Sequence, residues 1–257
     1  MNDFFSRSEA LLGAEAMQAL RAKQVILFGV GGVGSWCAEA LVRTGITHLT
    51  IVDDDEVQAS NINRQLPATR ETIGRSKVEA LRERLLQINP DAEIIAIKQR
   101  YTPENSFTFH LSTFNYIIDA IDSVAEKTDL LLTASRVRGV KVYSSMGAAL
   151  RFDPTQVRVA ELFDVKGDAL AKAVRARMKK LGLQPNKKVR CVYSLEQAVR
   201  IQNTEYRIQT DSASQQVPVK GSLMQVTAVF GCTLASLVIE DVSRVAHGEE
   251  TATGASH

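Results

Sequence analysis

From Lys23 onward, short apolar runs alternate with stretches whose apolar residues recur every three or four positions. The first pattern is that of buried strands and the second that of amphipathic helices. QVILFG, Gln24 to Gly29, is a short apolar run ending in glycine, as expected of a strand covered on both faces. Further strands are predicted at His48 to Asp53, Glu93 to Lys98, Tyr116 to Ile121 and Val140 to Ser145. A helix is predicted from about Ser35 to Thr44, closed by Gly45. A second covers Lys77 to Ile88, where Val78, Leu81, Leu85 and Ile88 share a face and Asn89-Pro90 supplies the stop. Strands and helices taken in turn build βαβ units on a parallel sheet. The longest apolar stretch, Leu223 to Ile239, is interrupted by Gln225, Thr227, Gly231, Thr233 and Ser236. It predicts a buried helix and no integral membrane span, with peripheral membrane contact left open.

Composition narrows this picture without redirecting it. A chain of 257 residues with 45% hydrophobic and 23% charged residues and a mean hydropathy of -0.07 is globular, which excludes disorder and collagen-like structure. The net charge of +2 provides no global field toward DNA or an acidic membrane, so no DNA partner is expected. The charge is unevenly placed, however. Between Asp164 and Arg190, nine Lys/Arg face two Asp, a local excess of seven that leaves the remainder of the chain at −5. Next comes a polar stretch, Asn203 to Gly221 with Pro218, predicted to be a surface loop, and beyond His247 a tail expected to fray. The N-terminus is too polar for a secretory signal. Cys37, Cys191 and Cys232 form no CxxC pair, which suits a reducing, cytoplasmic setting.

Chemistry enters at Gly29-Val30-Gly31-Gly32-Val33-Gly34, a GxGxxG turn between a strand and a helix, with Asp53 ending the next strand nineteen residues beyond Gly34. The glycines let backbone approach a phosphate, the helix start offers unpaired N–H groups to anions, and Asp53 is placed to accept from a ribose hydroxyl. The expectation is an α/β, Rossmann-like nucleotide-binding fold with a mostly parallel sheet and a smaller C-terminal α/β extension. Residues 1–160 would form the ATP-binding domain with its N-terminal helix, and 161–257 the basic segment, loop and closing helix on the same core. NAD would suit the glycine turn, but hydride transfer leaves Arg64, in Asn61-Ile62-Asn63-Arg64-Gln65, and Lys77, in Gly74-Arg75-Ser76-Lys77, unexplained. A nucleoside triphosphate attacked at its α-phosphorus explains them, because charge then grows on the departing phosphates. Asp122 sits at a strand end where a carboxylate is placed to hold Mg²⁺, its other reading being a helix N-cap. Asp119 points less directly to the same crevice.

GVGGVGSW, the Asp53 strand end, SNINRQ, GRSK and IDAIDS resemble the adenylate-forming E1-like superfamily. GVGGVGSWCAEALVRTG, NINRQ, QINP, YIIDAIDS and FDPTQVRVAEL are most similar to its bacterial tRNA threonylcarbamoyladenosine dehydratases. The resemblance implies ATP contacts at Gly29, Gly31, Gly32, Gly34, Asp53, Asn61, Arg64, Gln65 and Lys77, with Mg²⁺ at Asp122. Arg7 would be donated across a homodimer to the partner's ATP phosphates. The implied reaction adenylates the carboxylate of threonylcarbamoyladenosine in tRNA, and internal cyclisation then expels AMP. A monovalent cation, Na⁺ or K⁺, is a further candidate with no ligand set attached. The alternative is adenylation of the C-terminal glycine of a ubiquitin-like sulfur-carrier protein, with a sulfur-transfer partner. The absence of CxxC zinc pairs disfavours the zinc-stapled form of such an enzyme. A non-catalytic RNA- or partner-binding module is a third reading.

Of the cysteines, only Cys191 is a candidate nucleophile or sulfur acceptor, because Arg190 beside it would lower its thiol pKa. Cys37 and Cys232 read as core residues. His48, His110, His247 and His257 have no metal-ligand neighbours at useful spacing and receive no role. The basic segment fits RNA, with Tyr193 and Tyr206 as candidate stacking residues. Its alternative is a solvated helix face.

Overall fold

The computed structural model describes residues 3–199 and 221–248. The predicted loop from Asn203 to Gly221, with Tyr206 and Pro218, lies outside these except for Gly221, as does the tail beyond 248 with His257. In chain order the elements are α1 (Ser6–Leu12), α2 (Ala14–Arg21), β1 (Gln24–Phe28), α3 (Gly34–Thr44), β2 (His48–Val52), α4 (Lys77–Ile88) and β3 (Glu93–Ile97). Then come β4 (Tyr116–Asp119), α5 (Val124–Arg136), β5 (Lys141–Ser145), β6 (Val157–Glu161), α6 (Ala169–Leu181), β7 (Arg190–Ser194) and α7 (Met224–Ala246). The five predicted strands are present within one or two residues, and α4 has the predicted limits.

Seven strands form one sheet in the order β3-β2-β1-β4-β5-β7-β6, parallel throughout except for β6, which runs antiparallel to β7. After β3 the chain crosses back to pair β4 with the free side of β1. The strand order therefore reverses between β1 and β4 and opens a crevice at their C-terminal ends. The sheet crosses residue 160 without a break, since β6 spans it.

Strand alternation sorts the core into two halves. Val25, Leu27, Leu49, Ile51 and Ile118 face α2, α3, α4 and α7, whereas Ile26, Phe28, Ile117, Val142 and Cys191 face α5 and α6. Phe28 meets Tyr101 and Phe109 edge-on, with ring centroids 5.2 and 5.1 Å away. By length and composition α7 passes for a membrane span, yet Val226, Phe230, Leu234, Leu237 and Val238 are buried in the first half of the core. Its Asp241 accepts from Tyr116 Oη at 2.6 Å and pairs with Lys141, locking the helix to β4 and β5.

Gly231 is where α7 touches the glycine turn and the start of α3. A Cβ there would lie 2.4 Å from the carbonyl oxygen of Val33 and 2.8 Å from the backbone nitrogen of Cys37, both backbone atoms that cannot swing aside. Gly231→Ala is therefore expected to cost about 1–3 kcal/mol by overpacking, which at this size lowers the melting temperature by several degrees. Unchanged thermal unfolding by circular dichroism would show that α7 does not seat on α3 this way.

Candidate functional site

The crevice predicted by the strand reversal is a cleft of about 640 Å³. Its floor is the glycine turn. Gly29 has φ +85°, and a Cβ on it would stand 2.7 Å from the carbonyl oxygen of Ala120, so β1 and the end of β4 approach too closely for any side chain. A Cβ on Gly34 would fall 1.8 Å from the Gly29 carbonyl oxygen. Gly34 thus makes the turn possible without itself lining the cleft, whereas Gly29, Gly31 and Gly32 do line it. The opening of α3 follows immediately, and its Ser35 N and Cys37 N donate to the carbonyl oxygens of Gly31 and Val33, each at 3.1 Å, so the turn is wound directly into the helix.

Asp53 fixes this turn from β2. Its Oδ2 accepts from Val30 N at 2.8 Å and its Oδ1 from Asp55 N at 2.9 Å, which leaves one further acceptor position on each oxygen. Burial holds its carboxyl above the usual carboxylate range, against the opposing pull of Lys77 and of the two N–H donors.

The cationic wall is built by short-range backbone pairing. Residues 55–57 pair with 74–77, through Val57 N to Arg75 O at 2.8 Å and Lys77 N to Asp55 O at 3.0 Å, so that Lys77 opens α4 beside the end of β2. Lys77 is 5% exposed, and its Nζ donates to Asp55 Oδ2 at 2.6 Å. Arg64 comes from a turn held to α3 by Trp36 Nε1, which donates to its carbonyl oxygen at 3.1 Å, and by Ser35 Oγ, which accepts from Leu66 N at 3.2 Å. Partial burial pulls the Arg64 guanidinium below its ordinary pKa, but an arginine stays charged at neutral pH. Asn61 and Gln65 are buried on the same wall, and the Gln65 Oε1 has no hydrogen-bond partner among the described residues. An orphan buried acceptor beside glycines that a Cβ would crowd suits a ligand with hydroxyl or amino donors and phosphates.

The opposite wall comes from the strand ends of β4 and β5. Asp122 lies there, exposed, one residue before the α5 N-cap, which is Ser123. The N-cap reading of Asp122 is thereby corrected. Sequence reasoning missed Gly147, Arg151 and Asp168, which line the same wall. The signal available was a glycine two residues past a predicted strand end.

The sequence profile of the ThiF family matches residues 5–255. The chain belongs to the ThiF family. It is 39% identical over 197 residues to the tRNA threonylcarbamoyladenosine dehydratase of Bacillus subtilis, across 77% of this chain and 76% of that one. Crystal structures of E. coli tRNA N6-threonylcarbamoyladenosine dehydratase in complex with ATP and with AMP match it with TM-scores of 0.83 and 0.84. Both are 33% identical and cover 95% of this chain, with 96% and 95% of theirs. The E. coli sulfur carrier protein ThiS adenylyltransferase is 32% identical over 149 residues, which is 52% of this chain and 59% of that one. Among ThiF-family proteins, then, the dehydratases share this chain's C-terminal extension and the sulfur-carrier reading aligns over about half of it.

Three expectations for this ThiF-family chain, those for Asp119, Cys191 and Tyr193, meet a different geometry. Asp119 does not face the cleft. It is fully buried and pairs with the equally buried Lys127 at 2.6 Å, and its Oδ1 accepts from Ile121 N. Cys191 is fully buried in β7, where burial pushes its thiol pKa well up despite the nearby charge of Lys127, leaving the protonated thiol at neutral pH. Tyr193, 8% exposed, packs in the same half of the core and has no free face for a nucleobase. Arg7 is exposed on α1 and lines no part of its own chain's cleft. Cys191→Ala is accordingly expected to leave turnover within about twofold of the parent and the native protein's Cys191 unlabelled by iodoacetamide. Rapid alkylation of Cys191 with loss of activity would restore it as a nucleophile.

Proposed function

We propose that this protein is an ATP-dependent tRNA threonylcarbamoyladenosine dehydratase, which closes the threonylcarbamoyl side chain beside the anticodon into its cyclic form. The observation that carries the reading is one cleft holding the glycine turn, Asp53, Arg64, Lys77 and Asp122, on a fold shared along nearly its whole length with an ATP-bound dehydratase. The substrate carboxylate attacks the α-phosphorus, and the bond to pyrophosphate breaks. The ureido nitrogen that joins the side chain to the adenine then attacks the acyl carbon and loses its proton, and AMP leaves with the carboxylate oxygen. The net change in the nucleoside is loss of water. No thioester is needed, so a sulfur-transfer protein has no atom to deliver.

Asp53 accepts from the ribose, and Asn61 and Gln65 hold the nucleotide. Arg64 and Lys77 stabilise the charge that grows on the phosphates as their bond breaks. Asp122, for which the structure gives no partner among the described residues, would hold Mg²⁺, which supplies further charge neutralisation. A monovalent cation enters only as an ion to vary in the assay. Arg7, outside its own cleft, serves the second copy of a homodimer. Residues 1–160 form the ATP-binding unit and 161–257 the extension that meets RNA, in the cytoplasm.

For RNA, the basic segment divides by its contacts. Arg175 Nη1 donates to the carbonyl oxygens of Leu162 and Val165, and Lys187 Nζ to those of Val137 and Val140, so both are consumed in holding the extension together. Lys172, Arg177, Lys179, Lys180 and Lys188 are exposed. Helix α6 starts at the cleft, where Ala169 and Leu170 line it, and its thirteen residues extend about 20 Å. It offers a track for tRNA phosphates leading from the reaction site.

Nucleoside mass spectrometry of modified tRNA incubated with ATP tests the activity directly: the nucleoside should lose the mass of one water. Lys77→Met and Asp122→Ala should each lower the rate by about 10²–10³-fold with the fold intact, and wild-type rates in both would remove them from the site. Mixing inactive Arg7→Ala with inactive Asp122→Ala should restore about a quarter of the activity, because half of the dimers then carry one complete site. No recovery on mixing, or full activity of Arg7→Ala alone, excludes the shared site. Replacing both Lys179 and Lys180 by Glu should raise KM for tRNA and flatten its dependence on salt by about one unit of log–log slope per lost contact. An unaltered slope would move the RNA off α6.

A further inference from the structure

The cleft wall across from the glycine turn holds a cation that the ATP site does not use. Arg151 lines the cleft yet is only 3% exposed. Its Nε donates to the carbonyl oxygen of Gly147 at 3.0 Å and its Nη2 to Asp168 Oδ2 at 3.1 Å, while its buried Nη1 has no acceptor among the described residues. Asp168 leaves little to spare for that third nitrogen. Its Oδ2 also accepts from Gly147 N at 3.0 Å, and its Oδ1 caps α6 by accepting from Ala171 N at 2.8 Å. A buried donor without an acceptor is costly in proportion to its charge, and a guanidinium with one edge satisfied and one nitrogen free is oriented in advance for an incoming oxygen.

We infer that Arg151 is a substrate-binding residue whose Nη1 donates to an oxygen of the ureido-acid side chain, the carboxylate or the ureido carbonyl, while Asp168 and Gly147 position it. The inference rests on the dehydratase reading. Arg64 packs on Gly32 of the glycine turn, where a Cβ would lie 3.4 Å from its Cγ, and Lys77 pairs with Asp55 past the end of β2, whereas Arg151 is held by Gly147 past the end of β5. With Arg64 and Lys77 assigned to the phosphates, the phosphates already have their cations. The oxygen-bearing group that remains for Arg151 is the acid to be activated. Asp168 ties this recognition to α6, because the carboxylate that holds Arg151 is also the N-cap of the helix that carries the exposed lysines. A cation on the ureido oxygen would in addition occupy that oxygen's lone pairs and acidify the neighbouring N–H, leaving the nitrogen, not the oxygen, to close the ring.

Arg151→Gln removes the charge and leaves Asp168 its two backbone donors. With tRNA bearing threonylcarbamoyladenosine, kcat/KM for tRNA is expected to fall by about tenfold or more, the usual consequence of losing a hydrogen bond to a charged group. ATP affinity by equilibrium dialysis should stay within about twofold. Arg151→Lys, which keeps the pair with Asp168 but cannot also reach a second oxygen, should share the tRNA defect, and it serves as the readout should the Gln variant fail to fold. Wild-type turnover with unchanged tRNA kinetics in the folded variant overturns this inference alone. A loss of ATP affinity with tRNA kinetics unchanged also overturns it, by assigning Arg151 to the nucleotide. A wild-type enzyme that leaves this tRNA unaltered sinks the dehydratase reading and this inference together.

Discussion

The structure turns on backbone crowding where β1 meets the end of β4. Gly29 is pressed against the carbonyl of Ala120, and Gly34 against the carbonyl of Gly29, at separations that admit no Cβ. Only because two strand ends and a helix start converge without side chains between them does the turn present open backbone to a ligand. The crowding propagates outward. Gly231 brings α7 against the same helix start, and Asp53 pins Val30 from β2, so the turn is held from below, from one flank and from the neighbouring strand.

Around that turn, the site gathers charge that the fold only half compensates. Lys77 has Asp55, Arg151 has Asp168, and Arg64 has, among the described residues, only neutral oxygens, from Ser60 and Asn63. Burial raises the pKa of the Asp53 carboxyl, and Gln65 keeps an orphan acceptor among the described residues. Each of these is a cost in the free protein that a bound polyanion with hydroxyl donors would relieve. Away from the cleft, pairs close on themselves: Glu39 takes both Arg43 and Arg84, and Asp241 takes Tyr116 and Lys141.

Those features that local chemistry dictates were legible in the sequence. The limits of α4 follow from its apolar face and the Asn89-Pro90 stop, and the glycine turn follows from its place between strand and helix. Features set by tertiary contacts were not. Arg190 precedes Cys191, which suggested an activated thiol, but alternate residues of a strand face opposite sides. Arg190 is exposed while Cys191 and Tyr193 share a buried side. Arg151 and Asp168 stand seventeen positions apart in segments without a motif, and only the folding of β6 and α6 onto the sheet brings them to the cleft. Charge counting likewise overstated the basic segment, since Arg175 and Lys187 are spent on backbone carbonyls.

Asp119 shows why a strand-end carboxylate need not be a ligand. Fully buried, it accepts from Lys127 Nζ and Ser144 Oγ, each at 2.6 Å, while Lys127 also donates to the Ser145 carbonyl at 2.9 Å. A hydrophobic pair of similar volume would serve stability as well or better, because desolvating two charges offsets most of their attraction. What the ion pair adds is geometry. It binds the end of β4 to the end of β5 through named oxygens, and its second carboxylate oxygen accepts from Ile121 N, the residue before Asp122. The two strand ends that carry Asp122 and the Gly147 turn are thereby held in one arrangement relative to each other, and the two walls of the cleft can act on one substrate.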